Sequence, residues 1–340
     1  MGDHTDYNDG FCLPMAIDRD CIVGVAPGRA DRIRAESLDT DERADLPARP
    51  SSTAVGSGWG RFVAAATQVV SDRAGPVPGV DLAVTSTVPI GSGLSSSAAL
   101  CVALVLALGA PPNGDAGRIE LARAAREVEQ LATGVPVGLL DQLAAVFGRR
   151  DAALFLDCRT LEIVSVPLPA TLAVAVVHSG LARALESSAY AERRDACATA
   201  AARLGLSALR DATPTQVADD PIARHVVSEN ARVVGAVDAV RRGDLNRLGG
   251  LMGESHASLR DDFRVSTPEL DALVEALLDE GAIGARLTGA GFGGCVVAVT
   301  APDRRDAILA GACDRYRART ALEPRAFAVR AVEGAGALEP

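Results

Sequence analysis

Residues 88–100 read VPIGSGLSSSAAL and constrain this chain more than any other stretch. A strand-like run, 80–88, with Val80, Leu82 and Val84 alternating against Asp81 and Thr85, stops at the proline and glycines. An uncharged apolar helix, 98–108, starts directly after the serines. A strand, a tight loop and a helix in this order leave unsatisfied N–H groups and the positive end of the macrodipole at the helix start, which suits an anion. Gly91 and Gly93 remove side chains so that a ligand meets backbone, and Ser95, Ser96 and Ser97 add hydroxyls for phosphate oxygens or a metal ion. A flexible Gly/Ser loop before an ordinary capped helix is the alternative reading of the same residues.

Composition narrows what the loop can hold. All 34 basic residues are arginine, so a Walker-type lysine, a kinase strand lysine and a Schiff-base lysine are excluded. Phosphate here must meet backbone N–H groups, hydroxyls, metal ions or arginine. The net charge of −10 argues against nucleic-acid and anionic-membrane partners, which need basic surfaces. Seven scattered cysteines form no C-x-x-C pair or Cys/His cluster, and the four histidines show no i, i+4 pairing. Reduced thiols are therefore expected, with neither a zinc site nor a disulfide framework. The N-terminal MGDHTDYNDG is unlike a signal peptide, and the longest apolar run, 98–110, is short of the ~20 residues of a membrane span. A cytoplasmic protein is expected, and a monomer, since no heptad or apolar stripe demands a partner.

The 340 residues suit two domains. Residues 11–25 read as one extended apolar segment, and a Pro/Ser-rich loop covers 46–52. Helices are expected over 58–70, 98–108, 118–131, 189–204, 223–241 and 268–281, with a shorter apolar stretch over 139–147. Strands are expected over 80–88, 152–156, 172–178, 283–287 and 295–300, and a final helix and strand close the chain. Without steady βαβ alternation, the class is α+β, and the loop Val166-Pro167-Leu168-Pro169 marks a division into 1–166 and 167–340.

Three other groups stand out. The segment LTGAGFGGC, 287–295, matches G-x-G-x-x-G, yet a strand follows it and no acidic residue sits at the dinucleotide spacing, so it reads as a tight strand-to-strand turn. Glu129 lies beside Val128 and Leu131 in a helix, and Asp141 follows Gly138-Leu139-Leu140, where a carboxylate is costly unless it is paired or functional. A helix N-cap is the other reading of Asp141. Asp3, His4, Thr5, Asp6, Tyr7 and Asn8 form a dense polar cluster that, taken alone, could also be a disordered tail.

In order along the chain, GDHTDYNDGFCLPMAID (2–18), VPIGSGLSSSAAL and LTGAGFGGC resemble the motifs of the GHMP small-molecule kinases, and within them the galactokinase branch. GLLDQLAAVFG (138–148), SAYAERRDAC (188–197) and ESHASLRDDFRVSTPELD (254–271) extend the likeness over nearly the whole chain. The resemblance implies a two-domain fold, the first ribosomal-protein-S5-like and the second ferredoxin-like. It implies transfer of the ATP γ-phosphate to the anomeric hydroxyl of D-galactose, with Mg²⁺. Asp141 matches the catalytic base, and Ser97 and Glu129 the magnesium ligands. Gly91, Ser92, Gly93, Leu94, Ser95, Ser96 and Ser97 match the triphosphate loop. Asp3, His4, Thr5, Asp6, Gly138 and Tyr190 match sugar-binding positions, with Asp3 one methylene shorter than the family's glutamate. The family's A-P-G-R-V-N-L block, whose arginine stabilises transferring phosphate, would precede residue 2. Ala26-Pro27-Gly28-Arg29 lies after the histidine block and reads as a strand-end turn. Met1 is accordingly expected to be an internal methionine of a longer natural chain. A galactose- and ATP-binding regulator without catalysis, or a kinase of another sugar, are the competing expectations.

Overall fold

The computed structural model describes residues 1–48, 58–89, 91–109, 111–181 and 186–338. Part of the expected loop at 46–52, and Ile90 of the glycine–serine motif, lie outside the described residues. In chain order the elements are β1 (Phe11–Cys12), β2 (Cys21–Pro27), β3 (Arg32–Ser37), β4 (Arg43–Pro47), α1 (Gly60–Ala74), β5 (Val80–Ser86), α2 (Ser96–Leu108), α3 (Gly114–Thr133) and α4 (Leu140–Phe147). There follow β6 (Ala152–Asp157), β7 (Glu162–Pro167), β8 (Ala173–His178), α5 (Glu186–Arg203), α6 (Pro221–Arg242), α7 (Leu245–Asp261), α8 (Pro268–Asp279), β9 (Gly284–Thr288), β10 (Cys295–Thr300), α9 (Arg305–Thr320) and β11 (Arg325–Val329). The α+β expectation holds.

These elements form two compact units. The first comprises Met1–Asp18, Gly91–Leu94 and Arg149–Val332; the second comprises Arg19–Ile90, Ser95–Gly148 and Glu333–Pro340. Compactness therefore does not divide the chain at 166–167. Packing explains why: β1, β6 and β7, from the two ends of the expected first domain, form one sheet that packs on α6, where the Phe11 N–H donates to Asn230, and this ties both ends to the C-terminal half. The single segment expected over 11–25 is likewise two strands, β1 and β2, in different sheets.

In the first unit, a four-stranded antiparallel sheet runs in the order β11-β8-β10-β9. Numbered within this sheet the order is 4-1-3-2, with helices between the first and second strands and between the third and fourth, the ferredoxin-like arrangement. The period of two sorts the side chains. Ala175, Val177, Ala285, Leu287, Val296 and Ala298 enter the main core with α8 and α9. Val176 and Cys295 lie in a separate cluster with Val329. Helix α7 is absent from the sequence expectations because Gly249, Gly250 and Gly253 weaken its helical signal. Gly249 has a packing reason: a Cβ there would lie 2.0 Å from the Ile283 carbonyl oxygen.

The second unit holds a mixed sheet in the order β2-β5-β3-β4, with β3 and β5 parallel. Helix α2 carries no charge and packs among α1, α3, α4 and β2, which is what an all-round apolar helix must do. Cys101 and Leu104 of α2, Val63 of α1, Ala122 and Val128 of α3 and Val146 of α4 are wholly excluded from water.

The α7–β9 contact generates a paired test. Gly249→Ala should cost about 1–3 kcal/mol by overpacking, whereas Gly250→Ala, whose added Cβ meets nothing within 4 Å, should be neutral or slightly stabilising. Urea unfolding of both variants reads the difference, and equal stability would contradict the close-approach account.

Candidate active site

The second unit builds its site on the starts of α2 and α4 and the end of α3. Ser95 precedes α2 in the left-handed region at φ 59°, and no side chain caps the helix. Its first N–H groups therefore have no side-chain cap, the condition under which a helix start can meet an anion. Gly91 (φ 69°) and Gly93 (φ 81°) adopt left-handed backbone that a side chain would strain. These two belong with the first unit, where the Cys295 thiol donates to the Ser92 carbonyl at 2.9 Å and Leu94 packs on the Val176–Cys295–Val329 cluster. The Leu94 N–H donates to the Ser92 hydroxyl.

Glu129 is buried on α3 between two polar partners. The Ser97 hydroxyl donates to its Oε1 at 2.5 Å and the Gln142 amide to its Oε2 at 2.6 Å. Burial pushes its carboxyl up to about 7; the Ser97 hydrogen bond opposes this and the nearby Asp141 charge adds to it. Sequence reasoning missed Gln142, the residue after Asp141, whose Oε1 is buried with no hydrogen-bond partner among the described residues. Asp141 sits in the first turn of α4, which starts from Leu139 as its N-cap residue, so the capping alternative fails. It is exposed, while Gln142, Leu143 and Ala144 beside it are buried. Gly138 precedes this turn, and the adjoining Val137 carbonyl accepts from Gln130.

Ser97, Glu129 and the unpartnered Gln142 oxygen form an all-oxygen donor set with one carboxylate. That set fits Mg²⁺, which typically takes one or two carboxylates and leaves its other positions to water and phosphate. No group of three or more His, Cys, Asp or Glu side chains able to hold a metal occurs among the described residues.

The first unit gathers the N-terminal cluster. His4, in left-handed backbone at φ 64°, is buried, with its ring 5.8 Å from Tyr190 and 4.6 Å from Phe263. Burial, with the neighbouring His225, lowers its pKa to about 4, so the ring is neutral at pH 7. Its Nε2 contacts the Ala290 carbonyl at 3.2 Å and must donate, so Nδ1 accepts from the Tyr7 hydroxyl at 2.8 Å. Thr5 is wholly buried, with its hydroxyl 2.7 Å from the carbonyl oxygens of both Gly2 and Phe11, either of which can take its single proton. Both residues therefore frame the segment, while Asp3, Asp6 and Tyr190 are its partly exposed members. Asp3 accepts from the Gly289 N–H at 2.7 Å and pairs with Arg286 at 2.5 Å. Arg286 and Glu229 were not among the residues singled out from sequence. A charge inside the apolar run 283–287 was the signal for Arg286.

An open helix start beside serine hydroxyls, a buried carboxylate and a nearby exposed one are the parts of an enzyme that moves phosphoryl groups. Family models match the chain over three stretches: the galactokinase galactose-binding signature at residues 1–27, the GHMP kinase N-terminal domain at 61–149 and the GHMP kinase C-terminal domain at 236–318. The chain belongs to the GHMP kinase family and is an ATP-dependent sugar kinase. Among solved structures, the galactokinase of Lactococcus lactis, determined in complex with galactose, is 29% identical with a TM-score of 0.89, covering 98% of this chain and 91% of that one. The mevalonate kinase of Methanococcus jannaschii (18% identity, TM-score 0.70, 98% and 95% covered) shares the fold. So does that of L. major (22%, 0.68, 99% and 94%). No helix among the described residues is long and apolar enough to cross a membrane.

The raised Glu129 carboxyl has a measurable sign. In metal-free protein the folded state keeps its proton up to about pH 7 while the unfolded chain loses it near 4.5, so Glu129 subtracts stability progressively across that window. Glu129→Gln, which stays neutral and lets a flipped Gln142 amide accept from it, should raise metal-free stability at pH 8 by something on the order of 3 kcal/mol. At pH 4 it should change stability little. Thermal unfolding at the two pH values checks this, and an equal shift at both would contradict it.

Proposed function

We propose that this kinase phosphorylates D-galactose at its anomeric hydroxyl, giving galactose 1-phosphate and ADP. The observation that carries the reading is the match of residues 1–27 to the galactose-binding signature, which contains the Asp3–Asp6 cluster. In this reading Asp3, Asp6 and Tyr190 meet the sugar hydroxyls, with His4 and Thr5 holding their backbone in place and Gly138 leaving room near Asp141. Acceptor-rich carboxylates suit a polyhydroxylated ligand, and a group placed for one hydroxyl rejects the epimer that inverts it.

Residues 91–97 hold the triphosphate through backbone N–H groups and serine hydroxyls, which answers the lack of lysine. Bound through Ser97 and Glu129, Mg²⁺ would neutralise phosphate charge. Asp141, exposed at the start of α4, takes the proton of the anomeric hydroxyl. The sugar oxygen then bonds to the γ-phosphorus as the bond to the bridging oxygen of ADP breaks, and ADP leaves with that electron pair. Glu129 is kept from the role of base by its buried contacts with Ser97 and Gln142.

A coupled ADP-release assay tests this with galactose, glucose, arabinose and N-acetylgalactosamine. Galactose should give the highest kcat/KM, and Asp141→Asn should lower kcat by about 10²–10⁴-fold with the galactose KM within about threefold. Preference for another sugar would overturn the substrate, and near-wild-type turnover by the variant would overturn the base.

A further inference from the structure

Arg286 is wholly buried and heads the fully buried side chains by volume. The alternation of β9 sends Ala285 and Leu287 into the main core and Arg286 to the other face. On that face its Nη2 lies 2.5 Å from Asp3 Oδ2, and its Nε and Nη1 have no hydrogen-bond partner among the described residues. Glu229, also wholly buried, accepts from the Gly2 N–H at 3.0 Å, the Ser255 hydroxyl at 2.8 Å and Arg232 Nε at 2.7 Å. The Asp3 carbonyl contacts His225 Nε2 at 3.2 Å, while its Oδ1 takes the Gly289 N–H. Residues 2 and 3 are thereby pinned to α6, β9 and the glycine turn at once.

Stability is a poor reason for such an arrangement. A guanidinium withdrawn from water with two nitrogens unpartnered is costly, and well-packed apolar residues commonly serve a core as well or better. The ion-pair partner that Arg286 does hold is a carboxylate that the galactose reading puts on the sugar. Asp3 needs that cation, because burial and the negative Glu229 both work against its charge while Arg286 overcomes them.

We propose that Arg286 is a positioning residue for sugar binding: through its buried ion pair with Asp3 it holds the segment from Asp3 to Asp6 in its ligand-ready conformation. This rests on the galactose reading and adds to it a residue that need not touch the sugar. Without the guanidinium, Asp3 either takes up a proton or swings toward water, and the left-handed turn at His4 loses an anchor. Binding of ATP, assigned to other residues, stays as it was.

The test is the split between the two Michaelis constants in Arg286→Gln, Arg286→Lys, Asp3→Asn and the Arg286→Gln/Asp3→Asn double variant, with thermal unfolding alongside. Arg286→Gln should raise the galactose KM at least about tenfold and leave the ATP KM and kcat within about threefold. Arg286→Lys, which keeps the charge without the planar fork, should fall between it and wild type. The double variant should be no worse than the poorer single variant by more than about twofold, since both remove the same pair. An unchanged galactose KM in folded Arg286→Gln, or equal rises in both constants, overturns the role. Should Arg286→Gln not fold, Arg286→Lys decides: a galactose KM raised at least about threefold with an unaltered ATP KM supports the role, and an unaltered galactose KM overturns it. Wild-type protein that neither turns over nor binds galactose by calorimetry overturns the galactose reading itself, a result separate from any of these.

Discussion

A carboxylate taken out of water must find a cation or keep a proton, and this kinase uses both solutions. In the first unit, burial works against Asp3 and Glu229, but Arg286 and its neighbours win, and Glu229 is held down at about 2. In the second unit, Glu129 has hydroxyl and amide partners instead of a cation, and its carboxyl rises to about 7. The first arrangement fixes a charged group permanently in place. The second leaves a group that a cation can deprotonate and occupy. The proposed roles, a rigid sugar frame and a metal-binding carboxylate, would make those opposite demands.

The lack of lysine sharpens the second arrangement. Arginine is the one basic residue type in the chain, and several of its copies are committed elsewhere. Arg118 donates to the Val146 carbonyl and covers the Phe147 ring, while Arg210 pairs with Asp157 and stacks on Phe11. Phosphate recognition by an uncapped helix start, glycines and serine hydroxyls is consistent with that allocation. In the proposed reading, left-handed backbone at Gly91, Gly93 and Ser95 turns N–H groups toward the phosphates.

Much of this was legible from residue order. The run of glycine and serine into an apolar helix identified the loop, and Glu129 and Asp141 stood out as carboxylates in apolar company. Other features were hidden by rules that tertiary contacts override. Helix α7 carries glycines that propensity counts against it, yet Gly249 is required by the approach of β9. The stretch 11–25 looks like one strand because residues 13–20, which separate β1 from β2, still carry the apolar Leu13, Met15, Ala16 and Ile17. Asp141 was read as a costly carboxylate in apolar company, but a helix start buries one face and exposes the next, and Asp141 lies on the exposed one. Arg286 was read as part of an apolar run, though a lone charge on a core strand is the pattern that announces a buried ion pair. Its partner lies 283 positions away in sequence, which no local pattern can supply.

The central claim, that this chain transfers phosphate to the anomeric oxygen of galactose, is tested most directly by the product. Protein incubated with ATP, Mg²⁺ and galactose can be followed by phosphorus and proton nuclear magnetic resonance. The account predicts one new phosphomonoester whose phosphorus couples to the anomeric proton. A phosphoester at any other hydroxyl, or ADP formed with no sugar phosphate, would contradict it.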